Sequence, residues 1–111
     1  MQTVASANQL DQLKRGAELL VLFGGAHCGV CQSIKPKIEH VMAQRFPDIS
    51  IAYVDCEQTP DICAQHGVFA LPAVKLFIEG QLCLEVARSF SLQELTSRMD
   101  RIHRLWQDSK C

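Results

Sequence analysis

The segment Phe23-Gly24-Gly25-Ala26-His27-Cys28-Gly29-Val30-Cys31-Gln32 constrains this chain more than any other. An apolar run ends at Phe23, two glycines form a loop, and a helical pattern starts at the cysteines. Two thiols at a strand-to-helix junction, in C-x-x-C spacing, point to thiol–disulfide exchange. Cys28 would sit at or just before the first helical turn. Free backbone N–H groups and the positive end of the helix dipole favour an anion there. A thiolate is such an anion, and it is the nucleophilic form of cysteine. Cys31 lies one helical turn on, on the same side. From there it can attack a mixed disulfide on Cys28.

The remaining composition sets the frame for that junction. A chain of 111 residues makes one domain, expected over 1–111 with order to about 106 and a tail at 107–111. A formal net charge of -1 gives no reason to expect nucleic acid or an anionic membrane as partner. No apolar run approaches the roughly 20 residues needed to cross a bilayer. Met1-Gln2-Thr3-Val4-Ala5 lacks a basic stretch followed by an apolar one, so a secretory signal is not expected. The expected location is cytoplasmic, where structural disulfides are rare. The 6 cysteines then need separate explanations.

Taken in order, Thr3-Val4-Ala5 reads as a short edge strand. Ser6 or Asn8 caps a helix that turns Leu10 and Leu13 inward and stops at Gly16. Leu19-Leu20-Val21-Leu22-Phe23 is continuously apolar, as in a strand buried on both faces. From Gly29 to about Arg45, Ile34, Ile38, Val41 and Met42 fall on one helical stripe. Pro36 lies inside this helix and is expected to kink it. Pro47-Asp48 turns into the strand Ile49–Val54. Pro60 opens a short helix that ends near Gly67. Pro72 precedes the strand Ala73–Ile78, Glu79-Gly80 turns a hairpin, and Leu82–Val86 returns. Ser91, with Glu94 placed for a capping box, starts the last helix. Its buried stripe is Leu92, Leu95, Met99, Ile102 and Trp106. This alternation, closed by a hairpin, argues for an α/β fold with a mixed sheet covered by helices on both faces.

At this point the chain resembles the thioredoxin family over nearly its whole length, from the first helix to about residue 105. Cys28-Gly29-Val30-Cys31 matches that family's Cys-Gly-Pro-Cys except at the third position. Pro36 matches the proline of its active-site helix. Val54-Asp55 and then Pro60 are similar to the segment after its third strand. Gly67-Val68-Phe69-Ala70-Leu71-Pro72-Ala73 resembles the stretch whose proline is cis, and Gly80 matches the hairpin glycine. The resemblance implies the thioredoxin fold and a protein disulfide oxidoreductase with Cys28 and Cys31 as catalytic residues. Cys28 would attack and Cys31 would resolve. His27, Gly29 and Val30 become candidate modulators, and Leu71, Pro72 and Arg88 candidate substrate-groove residues. Pro72 would sit beside the sulfurs, leaving less room for a metal. The backbone of Leu71 would pair with a bound polypeptide as a short strand. The implied partners are a disulfide-containing protein substrate and a reductase or small thiol for recharging. No cofactor, metal, nucleic acid or membrane is implied, and a monomer is expected.

The departures are specific. His27 stands where the family usually has tryptophan, and Val30 where it has proline. Leu22 stands where it has a buried aspartate, and Ile51 where a lysine approaches that aspartate. A water, His27 or the substrate's leaving thiolate would have to replace this proton acceptor for Cys31. Arg88 stands at a glycine of the substrate groove, where it could narrow the groove or select acidic partners. These changes favour a narrow substrate range and a pair more oxidising than a general reductase. They also favour a second reading, an adaptor or accessory chaperone that holds a client segment with little redox turnover.

Other candidates have plainer explanations. His27 is either a cation or base beside Cys28 or an exposed loop residue. Cys56 and Cys63 straddle a turn and read as small, partly buried apolar residues, with a second regulatory disulfide as the alternative. Cys83 reads as strand packing. Cys111 is terminal and could oxidise or link two chains. Arg98, Arg101, Arg104 and Lys110 read as a solvated helix face, and His40, His66 and His103 as surface residues.

Overall fold

A computed structural model describes residues 1–109. Its elements, in order, are β1 (Gln2–Thr3), α1 (Ala7–Lys14), β2 (Glu18–Gly24), α2 (Gly29–Arg45), β3 (Ser50–Asp55), α3 (Pro60–Gln65), β4 (Ala73–Ile78), β5 (Gln81–Ala87) and α4 (Leu92–Ser109). The five strands form one sheet in the order β1-β3-β2-β4-β5. β1, β3 and β2 run parallel, whereas β4 is antiparallel to β2 and β5 to β4. The expected mixed α/β sheet is therefore present.

β2 is the centre of the sheet, and every residue in it is buried. Its side chains alternate between two cores, as the two faces of a strand require. Leu20 and Leu22 join Ile38 and Met42 of α2 and Leu95 and Met99 of α4. Leu19, Val21 and Phe23 join Leu10 of α1 and Ile62 and Cys63 of α3. Each fully buried leucine is worth roughly 1.5–3 kcal/mol over an exposed one. This double-sided packing holds the end of β2, and so the cysteine loop, in place.

Local signals agree with these elements. Ser6 Oγ accepts the Gln9 N–H at the start of α1, and Ser91 Oγ accepts the Glu94 N–H at the start of α4. Glu79 and Gly80 both have positive φ, 52° and 84°, as a tight two-residue hairpin turn requires. α2 is one unbroken element from Gly29 to Arg45 with Pro36 inside it.

Four expectations change. α4 continues to Ser109, so residues 107–109 extend the helix where a tail was expected. Cys83 is exposed, because Leu84 and Val86 take the inward positions of β5. His66 is no plain surface residue. It lies between the rings of Phe23 and Phe77, and its Nδ1 sits 2.9 Å from the Ile62 carbonyl oxygen. His103 likewise pairs at 2.7 Å with Glu18, whose side chain is buried. Arg98, Arg101 and Arg104 are exposed as expected. The expectations for Lys110 and Cys111 lie outside the described residues.

Candidate active site

The loop between β2 and α2 presents the cysteines. Cys28 is the N-cap of α2 with an extended backbone, and its Sγ accepts the Cys31 N–H at 3.2 Å. A sulfur thus occupies the place of a capping oxygen, at the end of the helix that favours negative charge. Cys28 and Cys31 are joined as a disulfide with Cα atoms 5.2 Å apart. Their exposures differ. Cys31 is fully buried, whereas Cys28 is partly exposed. Gly29 faces open space, and Val30 is an exposed apolar side chain.

Leu71 and Pro72, candidates for a substrate groove, immediately precede β4, and the third candidate, Arg88, immediately follows β5. The Leu71–Pro72 peptide is cis, as the resemblance implied. The Arg88 N–H donates to the Pro72 carbonyl at 2.9 Å, so these two residues are brought together. Arg88 is exposed and has φ 61°, a left-handed conformation that costs a non-glycine residue roughly 1–2 kcal/mol. Beside them is a cleft of about 400 Å³. Ala70, Ala73 and Ala87, the chain neighbours of these three candidates, help line it together with exposed Phe69. Neither cysteine of the pair lines this cleft.

A family model described as Thioredoxin matches residues 1–101. The chain belongs to the thioredoxin family. This member is 37% identical over 89 residues to thioredoxin-2 of Pyricularia oryzae, covering 78% of its own length but only 52% of that relative's. It thus spans about half of that protein. It is 31% identical over 97 residues to the thioredoxin of Chlamydia trachomatis, covering 87% of this chain and 90% of the other. Among solved structures it is similar to Fasciola hepatica thioredoxin, with a TM-score of 0.83 and 26% identity over 91% of this chain and 98% of that one.

Within this thioredoxin-family site, three partners were not evident from sequence. The first is Glu57. Its Oε2 accepts the His27 N–H at 2.8 Å, and its Oε1 lies 2.5 Å from His27 Nδ1. The carboxylate bond and charge raise the His27 pKa, and the same bonds lower that of Glu57. Gly25 makes the approach possible, since a Cβ there would lie 2.6 Å from Glu57 Oε2. The second is Tyr53, buried on β3 opposite Leu22. A Cβ on Gly24 would lie 3.0 Å from Tyr53 Oη and 3.1 Å from Cys31 Cβ, so Gly24 lets both pack against β2. Burial raises the Tyr53 pKa, which keeps its hydroxyl protonated. The third is Gln32, whose side-chain N–H groups donate to the Gly25 carbonyl and to Tyr53 Oη. Leu22 is buried and Ile51 partly so, so the two positions where the family has an aspartate and a lysine are apolar here.

The Cys56–Cys63 reading also changes. These residues are joined as a second disulfide with Cα atoms 5.7 Å apart. The turn at 55–59 and the short α3 bring Cys63 back toward Cys56, so the two are bonded where simple packing was expected.

Proposed function

We propose that this chain is a thiol–disulfide oxidoreductase that acts on protein disulfides, with Cys28 as nucleophile and Cys31 as resolving thiol. The observation that carries this reading is the asymmetry of one bonded pair. Cys28 is reachable at a helix N-terminus, and Cys31 is sealed beneath it. The reduced pair would start the cycle. The Cys28 thiolate attacks one sulfur of the substrate disulfide and forms a mixed disulfide. The other substrate sulfur leaves as a thiolate. Cys31 then loses its proton and attacks Cys28 Sγ. This closes the Cys28–Cys31 bond and releases the substrate as a dithiol once both its thiolates are protonated. Two electrons pass from the pair to the substrate. The departing substrate thiolate is a proton acceptor for Cys31, because Leu22 supplies none and Tyr53 remains protonated. A reductase or small thiol returns the pair to its dithiol form. Leu71, Pro72 and Arg88 would line the client groove, with exposed Phe69 as an apolar contact. His27, Gly29 and Val30 would tune the pair. A monomer in the cytoplasm is the setting in which such a pair cycles rather than staying closed.

Cys28→Ser is expected to reduce disulfide-reductase activity to the background rate. Cys31→Ser is expected to trap a mixed disulfide on Cys28, visible by mass spectrometry under non-reducing conditions. The adaptor reading draws on Leu22, Ile51 and Arg88, each of which alters a family position. A parent chain with no reductase activity, and unchanged client binding in the Cys28→Ser/Cys31→Ser variant, would move it to first place.

A further inference from the structure

The second disulfide sits in a segment that touches the active-site loop. The Cys56 N–H donates to the Gly24 carbonyl at 2.8 Å, which extends the β2–β3 pairing by one bond. Asp55 Oδ1 then accepts the N–H groups of Glu57 and Gln58, and the Asp55 carbonyl accepts the Thr59 N–H and hydroxyl. The chain folds back tightly, and Glu57, next to Cys56, points at His27. The disulfide ties this turn to Cys63, which is buried with Ile62 and Val68. α3 has only 6 residues, too few to be stable without such tertiary anchors.

We propose that Cys56–Cys63 is a second redox site, whose opening withdraws Glu57 from His27 and so resets the charge beside Cys28. The functional part of this inference rests on the reading of Cys28 as nucleophile. Cys56 is partly exposed and Cys63 buried, so Cys56 Sγ is the sulfur a small thiolate reaches. That thiolate bonds to Cys56 Sγ, the Cys56–Cys63 bond breaks, and Cys63 leaves as a thiolate that takes a proton. A second small thiolate attacks the mixed disulfide. Cys56 is released, takes a proton, and the two small thiols depart as their disulfide. Two electrons enter the protein, and the reductant is a small thiol of the glutathione class. Once opened, the turn keeps its Asp55 bonds but loses its covalent tie to α3. Glu57 keeps its backbone bond to Asp55, but its carboxylate is then held only by the exposed His27 N–H and ring, an arrangement weak in water.

The test is a proton NMR titration of the His27 ring in the full chain carrying Cys28→Ser/Cys31→Ser, with Cys56–Cys63 closed and then reduced. This background removes the Cys28–Cys31 chemistry, so failure of the oxidoreductase reading leaves the measurement intact. The charged groups acting on His27 are Glu57 and Asp55. Opening the bond is expected to shift the His27 midpoint to lower pH, toward that of a Glu57→Gln control, while amide dispersion shows a folded chain. A glutathione buffer is expected to open and reclose the bond reversibly. A Cys63→Ser variant should reproduce the shift without reductant. An unchanged midpoint in the opened form would overturn the proposal. So would opening that occurs only with global unfolding, which would make the bond a structural brace.

Discussion

At the residue scale, the charge beside Cys28 depends on whether Glu57 can reach His27. The histidine's raised pKa means its part of the pairing is fully present below the ordinary imidazole pKa and is lost as pH rises through the raised value. The lowered pKa of Glu57 means its part is present above the ordinary carboxylate pKa and is lost as pH falls through the lowered value. The pair therefore operates between the Glu57 and His27 transitions. Both groups are exposed, so its contribution to stability is small, and its consequence is local charge. Gly25→Ala is expected to push the Glu57 carboxylate aside, because the new Cβ would overlap Oε2. The His27 midpoint should fall as in Glu57→Gln, while stability changes by less than about 1 kcal/mol because an exposed side chain can swing away. Titration by NMR, with urea melts alongside, checks both. A midpoint equal to the parent's would show that Gly25 is not what admits Glu57. His27 was legible as a candidate cation beside Cys28, but its pairing with Glu57 was not, since the two are 30 residues apart and no periodicity links them. The C-x-x-C motif was legible because its spacing is local to one helical turn.

At the element scale, the strand–loop–helix unit of β2 and α2 is set by an apolar floor. Leu22 is buried, and the paired residue on β3 is Tyr53, with Ile51 further along the same strand. Restoring the family's acid as Leu22→Asp removes leucine packing and places a carboxyl with no cation prepared for it. The expected cost is about 3–5 kcal/mol, in the range of core truncations and uncompensated buried charges. Burial would raise the pKa of the new carboxyl, so the loss should be greater at neutral than at mildly acidic pH. Denaturant midpoints at the two pH values measure this. A variant as stable as the parent at neutral pH would mean that the floor already holds a site for the acid. The elements themselves were largely legible, because β2 is continuously apolar and α2 and α4 carry regular stripes. The exposure of Cys83 was not legible, because an alternating strand does not announce which set of residues faces in; the helix α4 and the β4 register decide that. The ends of α4 were legible at Ser91, which has a capping side chain. They were not legible at 107–109, where no glycine or proline stops the helix.

At the scale of the whole molecule, the two disulfides close short loops, with sequence separations of 3 and 7. Loop-closure entropy assigns each roughly 2–3 kcal/mol at most. The radius of gyration, 13.2 Å, is that of a close-packed chain of this length, with apolar clusters on both faces of the sheet. The fully reduced chain is therefore expected to unfold cooperatively, with a lowered melting temperature but native circular dichroism at room temperature. Loss of the cooperative transition on reduction would mean that the disulfides, not the core, hold the fold. The fold was legible because each element's local pattern agrees with its neighbours, whereas the second disulfide depends on a turn geometry that spacing alone leaves open. Whether Cys28 and Cys31 form a working redox pair is decided by a redox titration of that pair with the other cysteines replaced. A reversible two-electron transition is expected, with a midpoint between roughly −270 and −200 mV, the range from thioredoxin to the glutaredoxins. Failure of the two thiols to form a disulfide at any poise would contradict this expectation.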